Sequence, residues 1–311
     1  MDAAAHRGFR RYATIVVVYL LFVILFGAWV RITHSGAGCG SHWPTCNGDI
    51  VPLAPSIETI IEFTHRVTSG VLGPAVLVLV AWSARSFGRS RVTVAAVLTM
   101  IFVVLEALIG AGLVLKELVA DDDSVPRAII ISLHLVNTLI LTGSAVLTAW
   151  WSFDDRTMRP SALGRGTWLL LAGLLALVVT CMTGAVTALG DTLFPVSPGA
   201  DELLSHVREE MSSANHFLVR LRIVHPVVAV VAAGVLYGVG AWAREYTKDP
   251  FTPRFARGLQ HAVVAQVVVG VVTIGLAAPG WMQLVHLLMA QMVWMAAVLT
   301  TVSAWSGAGR E

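Results

Sequence analysis

The sequence predicts an all-α integral membrane protein of eight transmembrane helices, built as two pseudo-twofold-related four-helix bundles. Three observations carry that expectation. The 311 residues are 56% hydrophobic and only 13% charged, with mean hydropathy +0.77, whereas soluble domains carry roughly twice that charged fraction. Eight apolar runs each approach or exceed the ~20 residues that a bilayer-spanning helix needs. The second half of the chain repeats the residue pattern of the first. The 27 Gly and 10 Trp suit the same class, because membrane helices tolerate Gly and Trp anchors them at interfaces. A net charge of +2 without a large soluble segment excludes nucleic acid as a partner. Three cysteines are too few for a disulfide scaffold or a four-thiolate metal cluster.

In chain order the runs predict spans at 13–32, 58–83, 92–115, 128–151, 167–189, 215–243, 258–278 and 281–305. The start of the chain, with Arg7, Arg10 and Arg11, resembles the basic flank of a signal peptide. The apolar run behind it is too long and has no convincing cleavage site, so the first helix is expected to be retained. Arg85, Arg89, Arg91, Arg156, Arg159, Arg165, Arg244, Lys248, Arg254, Arg257 and Arg310 join the N-terminal arginines on one side. The acidic runs Asp121 to Asp123, Asp201-Glu202 and Glu209-Glu210 fall on the other. Basic loops stay inside, so both termini are expected in the cytoplasm and the long loops 33–57 and 190–214 outside.

Cutting the chain near residue 160 gives halves that answer each other. Gly27-Ala28-Trp29-Val30-Arg31 matches Gly184-Ala185-Val186-Thr187, and Glu62 to Arg66 matches Arg222 to Pro226. Glu106 to Gly110 matches Gln266 to Gly270, and Ser132 to Leu135 matches Leu284 to Leu287. An even number of spans per half makes this a parallel repeat, with its axis along the membrane normal.

Four of the ten histidines lie inside spans near their outer ends: His65, His134, His225 and His286. A polar side chain in hydrocarbon is costly and usually faces the bundle interior with a partner. One such histidine reads as an interhelical hydrogen bond; four, paired by half, read as ligands. Zinc would want further ligands beside them, and none stands there. Two imidazoles approaching one macrocycle from opposite faces give a six-coordinate haem, one per half. His6, His34, His42, His206, His216 and His261 read as solvated or interfacial, with His216 nearest the histidine pairs. Glu62 shares a helix face with His65, and its repeat partner is Arg222. It reads either as a solvated first-turn residue or as a carboxylate that takes a proton or stabilises positive charge on the macrocycle edge. Glu106 and Gln266 read as packing or hydrogen-bonding residues. Arg31, Arg66 and Arg222 either hold haem propionates or snorkel to the interface. Cys39 and Cys46, in an outer loop, favour a disulfide; a zinc site with His42 and a redox-active pair remain alternatives. Cys181 reads as a small buried residue.

The assembled motifs resemble the haem A synthase family over essentially the whole chain. The stretches that carry the likeness are Gly27 to Arg31, Cys39 to Gly48 and Glu62 to Arg66. The resemblance implies an oxidoreductase that converts the C8 methyl of haem O to a formyl group, giving haem A for terminal oxidases. It implies substrate-haem ligation by His65 and His134 in an N-terminal half, 1–160, and a catalytic carboxylate at Glu62. It implies a resident haem b on His225 and His286 in a C-terminal half, 161–311, and a loop disulfide between Cys39 and Cys46. The implied partners are haem O, a haem O synthase that supplies it, the lipid bilayer of the cell membrane and an electron acceptor or donor that the sequence does not identify. Two features differ: residues 190–214 lack the second cysteine pair that some members of the family carry, and Arg222-x-x-His225-Pro226 is looser than its first-half counterpart.

Two other classes fit the paired histidines. A non-catalytic di-haem cytochrome b would pass electrons to or from quinone. A transporter of parallel repeats would use the histidines as proton or substrate sites. The Glu62/Arg222 difference favours the enzyme, and the lack of broken helices near mid-membrane disfavours the transporter.

Overall fold

The computed structural model describes residues 3–153, 158–195, 215–247 and 249–307, which form helices and connecting turns without a strand. Among the described residues, eight helical segments are long and apolar enough to cross a membrane. In hydrocarbon every backbone N–H and C=O must be satisfied within its own segment, which is why apolar runs of this length fold as helices. The chain packs as two compact units, Met1–Asp155 and Arg156–Glu311.

The first unit contains α1 (Ala3–Ile32), α2 (Ile57–Phe87), α3 (Arg91–Leu115) and α4 (Val125–Trp151). Contacts run α1–α2–α3–α4 and back to α1, so α2 and α4 are diagonal across a four-helix square. The α3–α4 seam is the most extensive contact in the unit. Ala95, Ala96 and Thr99 of α3 and Ser144 and Ala145 of α4 are small and buried, the residue type that lets membrane helices approach closely. Thr99 Oγ1 donates to Ser144 Oγ across the seam at 3.2 Å. Serine caps open three of these helices. Ser56, Ser90 and Ser124 accept from the backbone N–H of Thr59, Thr93 and Arg127, satisfying donors that have no partner inside the helix.

Helix α1 starts at Ala3 instead of residue 13. The basic flank contains no helix breaker, and its Phe9 is fully buried against Trp82 and Phe87 of α2. That aromatic contact extends the helix past the apolar run.

The second unit contains α5 (Arg165–Leu193), a short α6 (Phe217–Leu221), α7 (Val224–Tyr246), α8 (Thr252–Gly275) and α9 (Gly280–Gly307). Contacts run α5–α7–α8–α9 and back to α5, again leaving two diagonals, of which α7–α9 is only lightly touched. Leu170, Val239 and Ala304 form a buried cluster that joins α5, α7 and α9. The sixth span, expected as one helix over 215–243, is broken at Arg222–Ile223. Pro226 removes one helical N–H, and its ring would collide with the carbonyl four residues earlier, at Arg222. The break therefore lies near one end of the span and not at its middle. Asp201, Glu202, His206, Glu209 and Glu210, with most of the 190–214 loop, lie outside the described residues, as do Arg156, Lys248 and Arg310.

Between α1 and α2 the chain makes a 3-10 turn, Ser35–Ala37, and then a loop closed by a disulfide between Cys39 and Cys46, both fully buried. Gly38 lies against the start of α2, where Thr59 Oγ1 donates to its carbonyl at 2.7 Å. A Cβ at Gly38 would stand 2.5 Å from the Glu58 carbonyl carbon, and backbone cannot yield as a side chain can. Gly38→Ala is therefore expected to lift the loop from α2 at a cost of about 1–3 kcal/mol. The expected result is a lower Tm in detergent and faster reduction of the Cys39–Cys46 disulfide. A Tm and a reduction rate equal to those of the parent protein would contradict the close approach.

Candidate functional site

Helix α2 carries Glu62, His65 and Arg66 within roughly one turn. Glu62 is only 3% exposed. A carboxylate so buried needs compensation for each oxygen, and it has it. Oε1 accepts from Arg66 Nη2 at 2.5 Å and Nε at 3.1 Å. Oε2 accepts from the Cys39 backbone N–H at 2.8 Å. The Arg66 fork is used on its other side as well, where Nη1 donates to the carbonyls of His42 at 2.7 Å and Thr45 at 2.6 Å. Glu62 and Arg66 thus join the helix to both ends of the disulfide loop.

This arrangement changes two sequence expectations. Glu62 is not a solvated first-turn residue. Arg66 is not a snorkelling side chain, because its donors face Glu62 and the loop carbonyls. Arg222 is likewise committed, pairing with Asp191 at 2.7 Å and donating to the carbonyls of Gly190 and Phe194 at the end of α5. It closes a helix terminus, and it does so because the chain breaks beside it. The zinc alternative for the loop is also removed, since the two sulfurs are bonded to each other. His216 caps α6 through Leu218 N and packs on Phe194, whereas Cys181 is buried and unbonded.

The four span histidines fall on the diagonal helices of their units: His65 on α2 and His134 on α4, His225 on α7 and His286 on α9. His225 and His286 have ring centres 6.3 Å apart and ring planes at 87°. An imidazole nitrogen sits ~2 Å from a metal that it ligates, and the ring centre lies ~1 Å behind it, so two opposed ligands place their centres about 6 Å apart. The pair fits that spacing. On each ring a neighbour engages one nitrogen: Thr183 Oγ1 lies 3.1 Å from His225 Nδ1, and the Gln266 amide 3.2 Å from His286 Nε2. His286 Nδ1 is buried without a hydrogen-bond partner, as is Gln266 Oε1. With the amide turned so that its oxygen accepts the Nε2–H, Nδ1 keeps its lone pair for a metal. Ligating histidines are commonly oriented through their second nitrogen in this way.

In the first unit the Nδ1 atoms of His65 and His134 are likewise buried without a hydrogen-bond partner. Glycines make room for three of the four rings. A Cβ would lie 3.2 Å from His65 Nε2 at Gly27, 3.0 Å from His225 Cε1 at Gly184 and 3.2 Å from His286 Cε1 at Gly270. A second carboxylate also belongs to this site. Glu106 Oε1 lies 3.5 Å from His134 Nε2, and it accepts from Thr138 Oγ1 at 2.5 Å, while Oε2 accepts from Asn137. Sequence reasoning paired Glu106 with Gln266 but left both as packing or hydrogen-bonding residues. The available signal was their position, since each stands four residues before a repeat-matched glycine and opposite a histidine-bearing helix.

Residues 10–298 match the cytochrome oxidase assembly protein family. The chain belongs to this family. Among its relatives, a Thermus thermophilus protein named protoheme IX farnesyltransferase is 44% identical over 305 residues, 98% of this chain and 50% of that protein. A heme A synthase of Halalkalibacterium halodurans is 36% identical over 159 residues, 51% of each chain. The heme A synthase of Lysinibacillus sphaericus is 41% identical over 111 residues, 35% of this chain and 36% of its own. The chain therefore spans about half the length of the Thermus relative, and its local identity to the synthases covers about half of itself or less.

Removing Arg66 strips Glu62 of its cationic partner and two loop carbonyls of their donor. Breaking a buried pair from one side typically costs about 3–5 kcal/mol. Arg66→Ala is expected to unfold at a clearly lower temperature and to let maleimide reach Cys39 and Cys46 under mild reduction. Arg66→Lys should recover only part of this, since an ammonium cannot reproduce the fork. Equal behaviour of Arg66→Lys and the parent protein would mean that charge alone suffices.

Proposed function

We propose that this protein is a haem A synthase, oxidising the C8 methyl of haem O to the formyl group of haem A. The observation that carries the reading is the pair of diagonal histidine couples, one in each four-helix unit, with ring spacing in the second that suits a metal between them. The names of several relatives support it. His65 and His134, in the N-terminal unit, hold the substrate haem, and His225 and His286, in the C-terminal unit, hold a resident haem b. When bound there, haem b supplies one-electron transfer.

The chain's own groups do the rest. Glu62, fixed by Arg66 and the Cys39 amide three residues before His65, presents a fixed negative charge near the substrate edge. Charge placed in advance of the reaction costs no reorganisation when a positive centre develops. The apolar walls of the bundle keep bulk water from that edge. The disulfide loop holds Glu62 in place from above. Electrons leave to an acceptor that belongs to the membrane. The basic loops place both termini in the cytoplasm, and the haem sites then lie toward the outer face of the cell membrane.

A protohaem farnesyltransferase makes the class of product that this reaction consumes, so a haem O synthase is the expected partner. The half of the Thermus relative beyond the match leaves room for such an activity on the same chain. The competing di-haem cytochrome accounts for both histidine couples but leaves Glu62 with only its structural task of docking the loop, and it has less support from the names of the relatives.

Extraction and mass analysis of bound haems, after expression with and without a haem O supply, tests the proposal. Haem A is expected only with haem O present; haem b alone under both conditions would favour the cytochrome. His225→Ala and His286→Ala should each lose the low-spin haem b spectrum while still inserting in the membrane. A normal spectrum in both variants would return these side chains to packing roles. Glu62→Gln keeps the shape but drops the charge and one acceptor oxygen, so its Tm should fall as well, and haem A formation is compared in protein that has kept haem b. It should retain haem b and bind haem O, yet lose haem A formation by on the order of 10²–10³. Near-normal haem A output would remove Glu62 from the chemistry.

A further inference from the structure

The two units place different groups behind corresponding histidines. In the first, Glu106 faces His134 Nε2, and its carboxylate is held by Asn137 and Thr138. Asn137 is itself fixed by the Phe102 carbonyl at 2.9 Å. In the second, Gln266 faces His286 Nε2. The positions that match Asn137 and Thr138, counted from the histidines, are Met289 and Ala290. Neither can donate a side-chain hydrogen bond. Three residues therefore change together: an acid with two donors in one half, a neutral amide with none in the other. Mere packing of α3 on α4 would not require the donors to follow the acid.

We propose that Glu106 is a positioning residue that acts through His134, making it a more strongly donating axial ligand than its counterpart His286. The inference rests on the bis-histidine haem reading above. With Nδ1 of His134 turned to the iron, Nε2 faces a carboxylate oxygen 3.5 Å away on a side chain whose direction is set by Asn137 and Thr138. An anionic hydrogen-bond partner raises the basicity of a ligating imidazole. Hydrogen bonding behind the axial ligand is in turn one of the levers that set a haem's potential. The result is a substrate haem whose ferric state is stabilised relative to that of haem b. Gln266 orients its ring without donating charge, so the second site stays at higher potential. A difference between the sites is what electron transfer from one to the other needs, and here second-row residues supply it while both irons keep the same ligand type.

The test is a spectroelectrochemical titration of the full-length protein carrying both haems, with the N-terminal step identified as the one lost in His65→Ala. Glu106→Gln is expected to raise that midpoint and leave the other where it was. The ferric-to-ferrous ratio at fixed potential should fall at least tenfold, about 59 mV for a one-electron couple. Gln266→Glu, in the other unit, should lower the second midpoint and spare the first. It decides the matter if Glu106→Gln fails to retain haem. Glu106→Asp, which keeps the charge, should recover part of the shift. An unchanged N-terminal midpoint in a haem-loaded Glu106→Gln protein would overturn the proposal, as would an unchanged second midpoint in Gln266→Glu. Failure of the parent protein to bind haem at His65 and His134 would instead sink the haem reading itself.

Discussion

A carboxylate buried among membrane helices must be answered by the protein, because lipid offers it nothing. Glu62 is answered twice, by the Arg66 guanidinium and by the Cys39 N–H. Much of the first unit's functional end depends on that double contact. It ties the second turn of α2 to the loop, it commits Arg66 to the His42 and Thr45 carbonyls, and it leaves His65 on the same face with an unpartnered Nδ1. The disulfide closes the loop, but the ion pair docks it. Burial makes the pair an obligation and not merely a gain, since either partner alone would be a stranded charge.

The second unit solves the corresponding problem with the signs rearranged. Arg222 stands where Glu62 stands in the repeat, and it turns to Asp191 and two carbonyls at the end of α5. Its charge is committed to closing a helix next to a chain break. Among the described residues, the groups recorded beside the histidine couple are neutral: a threonine, an amide and glycine-made space. One scaffold thus presents an anionic setting at one site and a neutral one at the other, through a handful of side chains and without altering the helix order.

Much of this was legible in the sequence, for reasons that vary by residue. The eight spans follow from hydropathy and backbone satisfaction, and the four histidines from the cost of a polar group at their depth. The start of α1 was misplaced because Phe9 packs against α2, a contact that no local pattern announces. The break at Arg222–Ile223 was readable from Pro226 yet was outweighed by the apolar run around it. Arg66 and Arg222 looked like rim residues because exposure, not sequence, distinguishes a snorkelling arginine from a clamped one. Glu106 was matched to Gln266 by position, but its bond to Asn137 and its approach to His134 depend on the rotation of α3 against α4. The repeat therefore located the candidate positions, and only the packing assigned their partners.

The surroundings of the two matched histidines His134 and His286 differ. In the second unit His286 packs closely on Gly270, where even a methyl group would stand 3.2 Å from the ring. In the first, the matching Gly110 has open space where its Cβ would be, and the His134 side chain is 33% exposed. The His134 ring thus has a carboxylate 3.5 Å from Nε2 where its counterpart has a glycine against the ring. A permanent prosthetic group gains from the packed arrangement, because leaving it would forfeit many small dispersion attractions at once. A substrate that must enter and depart as product gains from the other, provided that a directional bond restores the ligand geometry each time. Glu106 is placed to do that. On the reading proposed above, the carboxylate beside His134 would serve both as the group that tunes this ligand and as the one that sets its direction.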